Sequence, residues 1–527
     1  LKFNLAWIAH PIVVITLGYK NMVPGLFRIW TLSVVMVALA FGGLVQDVSN
    51  CEAGQSMHCQ QQQQPQQQQD GEDYSSLLVL PASTQASRPG RHRLADIKSG
   101  TSQQGNSVKV YVMMSLTMVS LNGTLNDPEA LRRNLTKIRE TGATGVMSDV
   151  WWGITEPEPQ KYNFAAYRQF FSICREVGLE VQIVTSFHQC CDEGSDCYIP
   201  VPAFVRKEPG IWYKNALGDE TRAYISLFAD DVKVGDRTPR QMYEDWVQAF
   251  QLEFQSDIGT LIVEVMLGMG TDGELKYPSY ENPAGKWQYP GIGMFQAFDQ
   301  HALESLKAAA STAGEEAWGL PPSAEVTGYY NSFPNETTFF RDDGGYQTSH
   351  GKFFLNWYSQ ALIHHGANML TMARKTLGSK VRISGKIAGV HWWYKTKSHA
   401  AELTAGFYNT NGVNAYANIA TAFAAASNAI VDFTCLEMTD ASQNPAYECG
   451  PQELVQQVMR AAGHAGVPFS GENALGFYDA PGYEQMVSYK PPTGYLESVT
   501  YLRISDEFLQ LDNLNLFSKF VAQMKED

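Results

Sequence analysis

From residue 106 onward, short apolar runs alternate with stretches whose apolar residues recur at helical spacing. The eight runs predicted to be strands are Val108–Met114, Gly145–Val150, Leu179–Thr185, Leu261–Leu267, Val381–Val390, Ala429–Thr434, Val467–Ser470 and Ser498–Arg503. Each is followed by a helical stretch or a long excursion, and such alternation favours a parallel sheet. Eight units of this kind predict a closed (β/α)8 TIM barrel with long strand-to-helix loops.

The helical stretches are predicted from the same periodicity. They are Leu131–Glu140, Phe164–Val177, Arg240–Gln255, Met294–Ala313, Lys352–Thr376, Ala415–Ala426 and Glu453–Ala461. A doubly wound open sheet is the alternative architecture. No Gly-x-Gly-x-x-Gly sequence follows the first predicted strand, and this absence favours the barrel.

The first 105 residues show no alternation that would build a domain. Ile29–Gln46 is an uncharged, mostly apolar stretch, and its length is borderline between a signal-peptide core and a membrane-spanning helix. We therefore predict a targeting segment or signal anchor in residues 1–50 and entry into the secretory pathway, with a plastid transit peptide as the alternative. Residues 51–105 include a nearly continuous glutamine run, which predicts a disordered linker. The predicted folded domain is 106–527.

The charge of the chain limits its partners. The formal net charge is −15, which argues against nucleic acids and anionic membrane surfaces because binding to phosphates needs basic patches. A neutral polymer rich in hydroxyl groups remains compatible, and we expect membrane contact only through residues 1–50. Eight cysteines in 527 residues do not make a disulfide scaffold.

Polar and ionisable residues follow the predicted strands at the end where a barrel builds its active site. His188 has an alternative role as a hydrogen-bonded core histidine, and Arg503 as an ion-pair partner of Asp506. Repetition of such residues at one face is hard to explain by packing, so an active site is favoured. The full set is Asp149, His188, Glu274, Lys386 with His391, Thr434, Glu472 and Arg503.

Glu274 and Glu472 are the candidates for catalysis within this set. Each follows a glycine, and each comes after an apolar, strand-like run. Glycoside hydrolysis needs one carboxylic acid to protonate the leaving oxygen and one carboxylate to activate water or attack carbon. The alternative is that both are ordinary exposed acids in loops.

Seven motifs support the enzymatic interpretation. They are Asp149–Gly153, Ser186–Cys190, Gly273–Leu275, His391–Lys395, His399–Gly406, Phe433–Met438 and Gly471–Leu475. Their sequences resemble those of the plant-type β-amylases of glycoside hydrolase family 14, in the same order, from about Val108 to Lys525. The resemblance implies a (β/α)8 barrel that removes maltose from the non-reducing ends of α-1,4-glucans with inversion. We expect starch or maltodextrin as the partner, no cofactor or metal, and a monomer.

The resemblance also implies a role for individual residues. Glu274 corresponds to the general acid and must stay protonated near neutral pH. Glu472 corresponds to the general base and must stay ionised, which a nearby Lys386 or Arg503 would favour. An inverting pair leaves room for a water molecule, so the two carboxyl groups should lie about 6.5–9.5 Å apart. Thr434 matches a threonine of a mobile inner loop, and the remaining sugar-binding matches are Asp149, His188, Lys386, His391, Asn473, Ala474 and Arg503.

The segment Cys191–Cys197 departs from the family pattern. The family has Gly-Gly-Asn-Val-Gly-Asp here, a loop that closes over the bound glucan, whereas this chain has Cys-Asp-Glu-Gly-Ser-Asp-Cys. Glycine adopts positive φ freely, so the loss of the glycine pair suggests a different backbone path, and Asp196 is the best match to the aspartate of this lid. A second hypothesis is therefore a catalytically weak or inactive glucan-binding or regulatory protein. Retention of Glu274, Glu472 and Thr434 favours the enzyme.

The cysteines of the lid allow two interpretations. His188, Cys190, Cys191 and Cys197 lie close together in sequence, as metal ligands do. Structural zinc sites usually add a second ligand pair elsewhere, and none lies nearby in the sequence. A Cys190–Cys197 or Cys191–Cys197 disulfide is the favoured alternative if the chain is exported.

Overall fold

The computed structural model describes residues 107–281, 285–491 and 496–526. The predicted segments 1–50 and 51–105 lie outside the described residues. The strands are β1 Lys109–Met113, β2 Gly145–Trp151, β3 Glu180–Ser186, β4 Trp212–Lys214, β5 Glu220–Ile225, β6 Ile262–Leu267, β7 Glu274–Leu275, β8 Arg382–Ile387, β9 Ile430–Phe433, β10 Phe469–Glu472 and β11 Leu496–Tyr501.

The α-helices lie mostly between the strands. They are α1 Pro128–Glu140, α2 Trp152–Thr155, α3 Ala165–Val177, α4 Ala203–Arg206, α5 Pro239–Glu253, α6 Gln300–Ala313, α7 Ala324–Thr327, α8 Ser349–Leu377, α9 Ala400–Ala405, α10 Ala415–Ser427, α11 Pro451–Ala465, α12 Ala480–Val487 and α13 Leu511–Lys525. None of the helices in these described ranges is long and apolar enough to cross a membrane.

Eight of the strands form a closed parallel barrel. Their order is β6, β3, β2, β1, β11, β10, β9 and β8, and pairing of β8 with β6 closes the ring. The prediction of a (β/α)8 barrel is confirmed, and each of the eight predicted runs contains part of one barrel strand. The strands are buried on both faces, β2 and β10 along their whole length. Such burial explains the nearly continuous apolar runs in the sequence.

Helices cover the outside of the barrel, and several are preceded by a residue whose side chain caps the first turn. Thr238 forms a capping box with Gln241 at the start of α5. Asn414 caps α10 and Asp479 caps α12 through side-chain oxygens that accept backbone N–H groups. These side chains satisfy donors that would otherwise have no intrahelical partner.

Two predictions about elements were wrong. The helix predicted from Met294 begins only at Gln300, because Asp299 caps α6 by accepting from the backbone of His301 and Ala302. The preceding residues from Met294 are buried but not helical. The loop predicted after β3 contains the antiparallel pair β4 and β5.

Candidate active site

Glu472 and Glu274 reach the carboxyl end of the barrel by different routes. Glu472 is the last residue of β10. Glu274 does not end the apolar run that becomes β6. It begins the separate short strand β7, which pairs with β8 so that Glu274 lies opposite Lys386. The intervening turn needs positive φ at Asp272 (56°) and Gly273 (76°), and glycine adopts that conformation without strain.

Lys386 connects the two glutamates. Its Nζ lies 3.3 Å from Glu274 Oε1 and is in direct contact with Glu472 Oε1. Both carboxyl groups are buried. Burial raises the pKa of Glu472, and the positive charge of Lys386 opposes that rise. The two carboxylates in turn raise the pKa of Lys386, which stays protonated.

A cavity of about 310 Å³ opens beside this pair. Its polar wall includes Asp149, His188 and Arg503 together with Lys386 and Glu472. Its apolar floor comes from side chains inside the barrel: Met113, Met147, Val184, Met266 and Leu502. The structure therefore brings five of the predicted site residues to one concave surface.

The groups that line the cavity are held by defined contacts. Asp149 accepts a hydrogen bond from Ser186 Oγ at 2.8 Å and lies 3.8 Å from Arg503 Nη1. Arg503 also donates to the backbone oxygen of Met114. Burial lowers the pKa of His188, so its ring is neutral at pH 7, and its Nδ1 has no hydrogen-bond partner in the described part of the chain.

The other predicted residues, including Glu274, do not line this cavity. Thr434 is buried directly after β9. Asn473 is buried, and its side-chain amide is hydrogen-bonded to the backbone: it donates to Leu475 O and Leu502 O and accepts from Leu502 N. His391 is buried against Trp392. Ala474 and Asp196 are exposed.

Residues 111–527 match the family model of glycosyl hydrolase family 14. The chain belongs to this family. It is 42% identical over 441 residues to the beta-amylase of Vigna unguiculata, an alignment that covers 80% of this chain and 88% of that one. It is also 42% identical to beta-amylase 1, chloroplastic, of Arabidopsis thaliana, over 81% of this chain and 77% of that one.

A solved structure of a beta-amylase shares the fold of this chain. The catalytic domain of a beta-amylase from Paenibacillus polymyxa superimposes with a TM-score of 0.67 at 27% identity, covering 80% of this chain and 99% of that domain. The family predicted from the seven motifs is confirmed.

The lid of this family 14 chain contains a disulfide. Of the two predicted pairings, the structure has Cys191–Cys197, with 5.8 Å between the Cα atoms. Cys190 is a buried free thiol whose backbone pairs with Ile199 across the base of the loop. Cys191 has φ 55°, so this residue adopts the left-handed conformation that the missing glycines would have adopted freely.

The disulfide bears on the metal interpretation as well. It uses two of the four sulfur and nitrogen ligands that the sequence had placed together. Within the ranges that the structure covers, no group of three or more His, Cys, Asp or Glu side chains is arranged to hold a metal ion.

Sequence reasoning missed several ionisable residues of the site. Lys276 is a buried lysine whose Nζ lies 3.1 Å from Glu274 Oε2 and 2.6 Å from Asp272 Oδ2. The spacing of Asp272 and Lys276, four residues apart, is the signal that could have indicated this pair. Asp432 lies within the apolar run of β9, where the sequence pattern predicted only packing.

Glu437 is a further missed residue, and it connects two loops. Its carboxylate accepts the backbone N–H groups of Ala474 and Leu475. Burial raises the pKa of Glu437 to about 7, although these hydrogen bonds oppose the rise. The loop after β9, which carries Thr434, is thereby joined to the loop that follows Glu472.

Proposed function

We propose that this protein hydrolyses α-1,4-glucosidic bonds at the non-reducing ends of starch-like glucans and releases β-maltose. The chain is a member of glycosyl hydrolase family 14, and the relatives it resembles are named beta-amylases. The observation that carries the proposal is the single ammonium of Lys386 in contact with both Glu274 and Glu472 at the mouth of the barrel.

Glu274 is the general acid in this proposal. It protonates the glycosidic oxygen as the bond to the leaving chain breaks, which removes the need to expel an alkoxide. Its two oxygens are held by different lysines, Oε1 by Lys386 at 3.3 Å and Oε2 by Lys276 at 3.1 Å. The carboxyl group is therefore oriented before a substrate arrives.

Glu472 is the general base and activates a water molecule on the opposite face of the sugar ring. Attack from that face inverts the anomeric carbon, which gives β-maltose from an α-linked glucan. Lys386 keeps Glu472 in place and favours its ionised form against the effect of burial. Without this counter-charge Glu472 would already carry a proton, and it could not accept one from the attacking water.

The sugar hydroxyls are met by the polar wall of the cavity. Asp149 and Arg503 offer charge-assisted hydrogen bonds, and the neutral ring of His188 lines the same cavity. We further propose sugar contacts for Thr434, His391, Asn473, Ala474 and Asp196. Thr434 follows β9, and Asn473 and Ala474 follow β10, whose last residue is Glu472. Contact by Asp196 requires movement of the lid.

The test is maltose release from soluble starch by the wild-type chain and by Glu274→Gln. We expect maltose from the wild type and a loss of at least about 10³-fold in kcat for the variant, because general acid catalysis and its electrostatic setting are removed together. Optical rotation of fresh product should show the β-anomer. A wild-type chain that binds glucan but releases no more maltose than the variant would establish the inactive, glucan-binding alternative.

Residues 1–50 are proposed to direct the protein to its cellular compartment, and two compartments are considered. The apolar stretch Ile29–Gln46 supports export or membrane anchoring, whereas the chloroplastic relatives support a plastid. A fluorescent protein fused to the whole chain distinguishes them by its location in plant cells. We also propose that the partner is a neutral glucan and that the protein is a monomer. Light scattering measures the molar mass in solution and tests the monomeric state.

A further inference from the structure

Lys276 is a buried ammonium surrounded by oxygen atoms beside the proposed general acid. Its Nζ lies 2.6 Å from Asp272 Oδ2, 3.0 Å from Tyr280 Oη, 3.1 Å from Glu274 Oε2 and 3.2 Å from Glu281 Oε1. The side chain is 1% exposed. Nothing in the proposed reaction so far requires Asp272 or Glu281 to be there.

The cluster holds more oxygen atoms than the single ammonium group of Lys276 can donate hydrogen bonds to. Lysine has three N–H donors, and four oxygen atoms surround this one. Three of the four belong to carboxyl groups. The side chains of Glu274 and Glu281 are only 10% and 20% exposed, whereas that of Asp272 is 59% exposed, and burial of unpaired carboxylates is costly. A carboxyl group in such a cluster therefore retains its proton at a higher pH than it would in water.

Two pKa values agree with that charge count. Burial and the neighbouring Asp272 raise the pKa of Glu281 to about 7, against the opposing effect of Lys276. Asp272 has a 59% exposed side chain, so burial opposes its ionisation only weakly, and the charge and hydrogen bond of Lys276, with His188 and Lys386 nearby, hold its pKa at about 2. Asp272 is thus ionised near neutral pH, and Glu281 is the member of the cluster that gains or loses a proton there.

Glu274 faces a conflict that this cluster resolves. A general acid must carry a proton, yet each of its oxygens contacts an ammonium group, and positive charge favours the ionised form. Lys276 by itself would therefore orient Glu274 but also place a positive charge beside the proton that the acid has to carry. Asp272 and Glu281 also contact Lys276, so their carboxylates offset that charge while leaving its position unchanged.

We propose that Lys276 and Glu281 are positioning residues for Glu274, with Lys276 fixing its carboxyl group and Glu281 extending upward the pH range in which it carries a proton. The inference rests on the proposed function, since it assigns Glu274 as the acid. The titratable and charged groups facing this pair are Asp272, Glu274 and Tyr280, with His188 and Lys386 beyond them.

The two residues should have opposite effects on the alkaline limb of the pH–rate profile. Glu281 carries a negative charge only above its pKa of about 7, so Glu281→Gln removes charge next to Lys276 in that range, and the pH at which activity is lost on the alkaline side should fall by about one unit. Below that limb its kcat should stay within about twofold of the wild type, because the contact between Lys276 and Glu274 remains.

Lys276→Met removes the positive charge and the contact together. Its alkaline limb should move to higher pH, while kcat falls about 10- to 100-fold as the acid loses its orientation. KM should change much less than kcat, because Lys276 does not line the cavity. Lys276→Arg restores a cation and should recover most of the lost kcat.

The experiment measures kcat and KM on maltohexaose between pH 4 and pH 9 with the full chain. Exposed residues provide controls with the same charge changes: Glu158→Gln and Lys161→Met, whose parent side chains are 63% and 70% exposed. Both controls should superimpose on the wild-type profile, because exposed charges far from a site are screened by solvent.

The outcomes separate this inference from the proposed function. A wild-type chain without maltohexaose hydrolysis refutes the function. An active wild type whose alkaline limb is unchanged in Glu281→Gln overturns the inference alone. Glu281→Gln is close in shape to the native residue and decides the matter even if Lys276→Met does not fold.

Discussion

Lys386 is the residue on which both proposed catalytic groups depend. It contacts Glu274 and Glu472, and it opposes the effect of burial, which raises the pKa of Glu472. Lys386→Met should therefore raise that pKa further, so the acidic limb of kcat/KM moves to higher pH. At the wild-type optimum we expect a loss of about 10²-fold or more. A profile measured on maltohexaose with its acidic limb in the wild-type position would contradict this role.

His391 provides a second prediction at the scale of one residue, and it concerns stability. Burial lowers the pKa of His391 from 6.5 to about 4, against the effect of Asp440. Between these values the unfolded chain binds a proton that the folded chain does not, so the contribution of this group to stability is lost as pH falls. At about 1.4 kcal/mol per pH unit, the whole difference amounts to about 3 kcal/mol.

His391→Gln should accordingly lose less stability than the wild type between pH 7 and pH 4. Urea unfolding at the two pH values measures the difference, whatever the variant's stability at pH 7. His464→Gln is the matched control, since His464 is exposed on α11 and its replacement should leave the pH dependence unchanged. Equal losses in the wild type and in His391→Gln would show that His391 is protonated at little cost.

At the scale of elements, the lid is the part in which this chain departs most from its family's pattern. Cys191 lines the cavity and is joined to Cys197, so the disulfide restricts a loop at the edge of the proposed glucan site. Breaking it lets the loop sample more conformations, and each residue ordered again on binding costs about 1 kcal/mol. We expect a dithiol reductant, or Cys197→Ser, to raise KM for maltohexaose about fivefold or more, with a smaller effect on kcat.

The control for that prediction lies in the variant itself. Reductant should raise the KM of the wild type and should leave the KM of Cys197→Ser unchanged, which excludes effects through the buried thiols Cys174 and Cys435. If reduced and oxidised wild type share one KM, the disulfide does not influence substrate binding.

The elements also show how far sequence patterns reach. Apolar runs located all eight barrel strands, because strands buried on both faces leave a continuous apolar signature. The start of α6 was missed although Asp299 is a good capping residue, because the apolar residues before it continue the helical spacing by coincidence. Strands β4 and β7 have three and two residues, so local preference gives little sign of them.

The sequence predicted which residues lie at the candidate site better than it predicted the charged contacts among them. Strand ends located Asp149, His188 and Lys386, because a barrel brings such ends together. The four-residue spacing of Asp272 and Lys276 hints at one contact, but no local pattern reveals that Glu281 also contacts Lys276. That contact depends on the path of the segment after β6, where Asp272 and Gly273 have positive φ.

For the whole molecule, closure of the barrel makes its two ends depend on each other. Strand β1 pairs with β11, and the backbone N–H of Val108 donates to the oxygen of Met524 at the end of α13. Helix α13 buries Phe517, Phe520, Val521 and Met524. At about 1.5–3 kcal/mol each, these four side chains contribute about 6–12 kcal/mol, which is comparable to the net stability of a typical domain.

Loss of α13 should therefore unfold the barrel, whereas loss of residues 1–106 should not. A chain that ends at Gln510 should show no cooperative thermal transition by circular dichroism, and a chain that begins at Ser107 should match the full chain in melting temperature and maltose release.

Single substitutions in α13 test the same dependence without truncation. Phe517→Ala, at a fully buried position, should lower the free energy of unfolding by about 3–5 kcal/mol. Leu511→Ala, at a position 72% exposed, should change stability by less than about 0.5 kcal/mol. Equal melting temperatures for the two variants would mean that α13 packs on the barrel without supporting it.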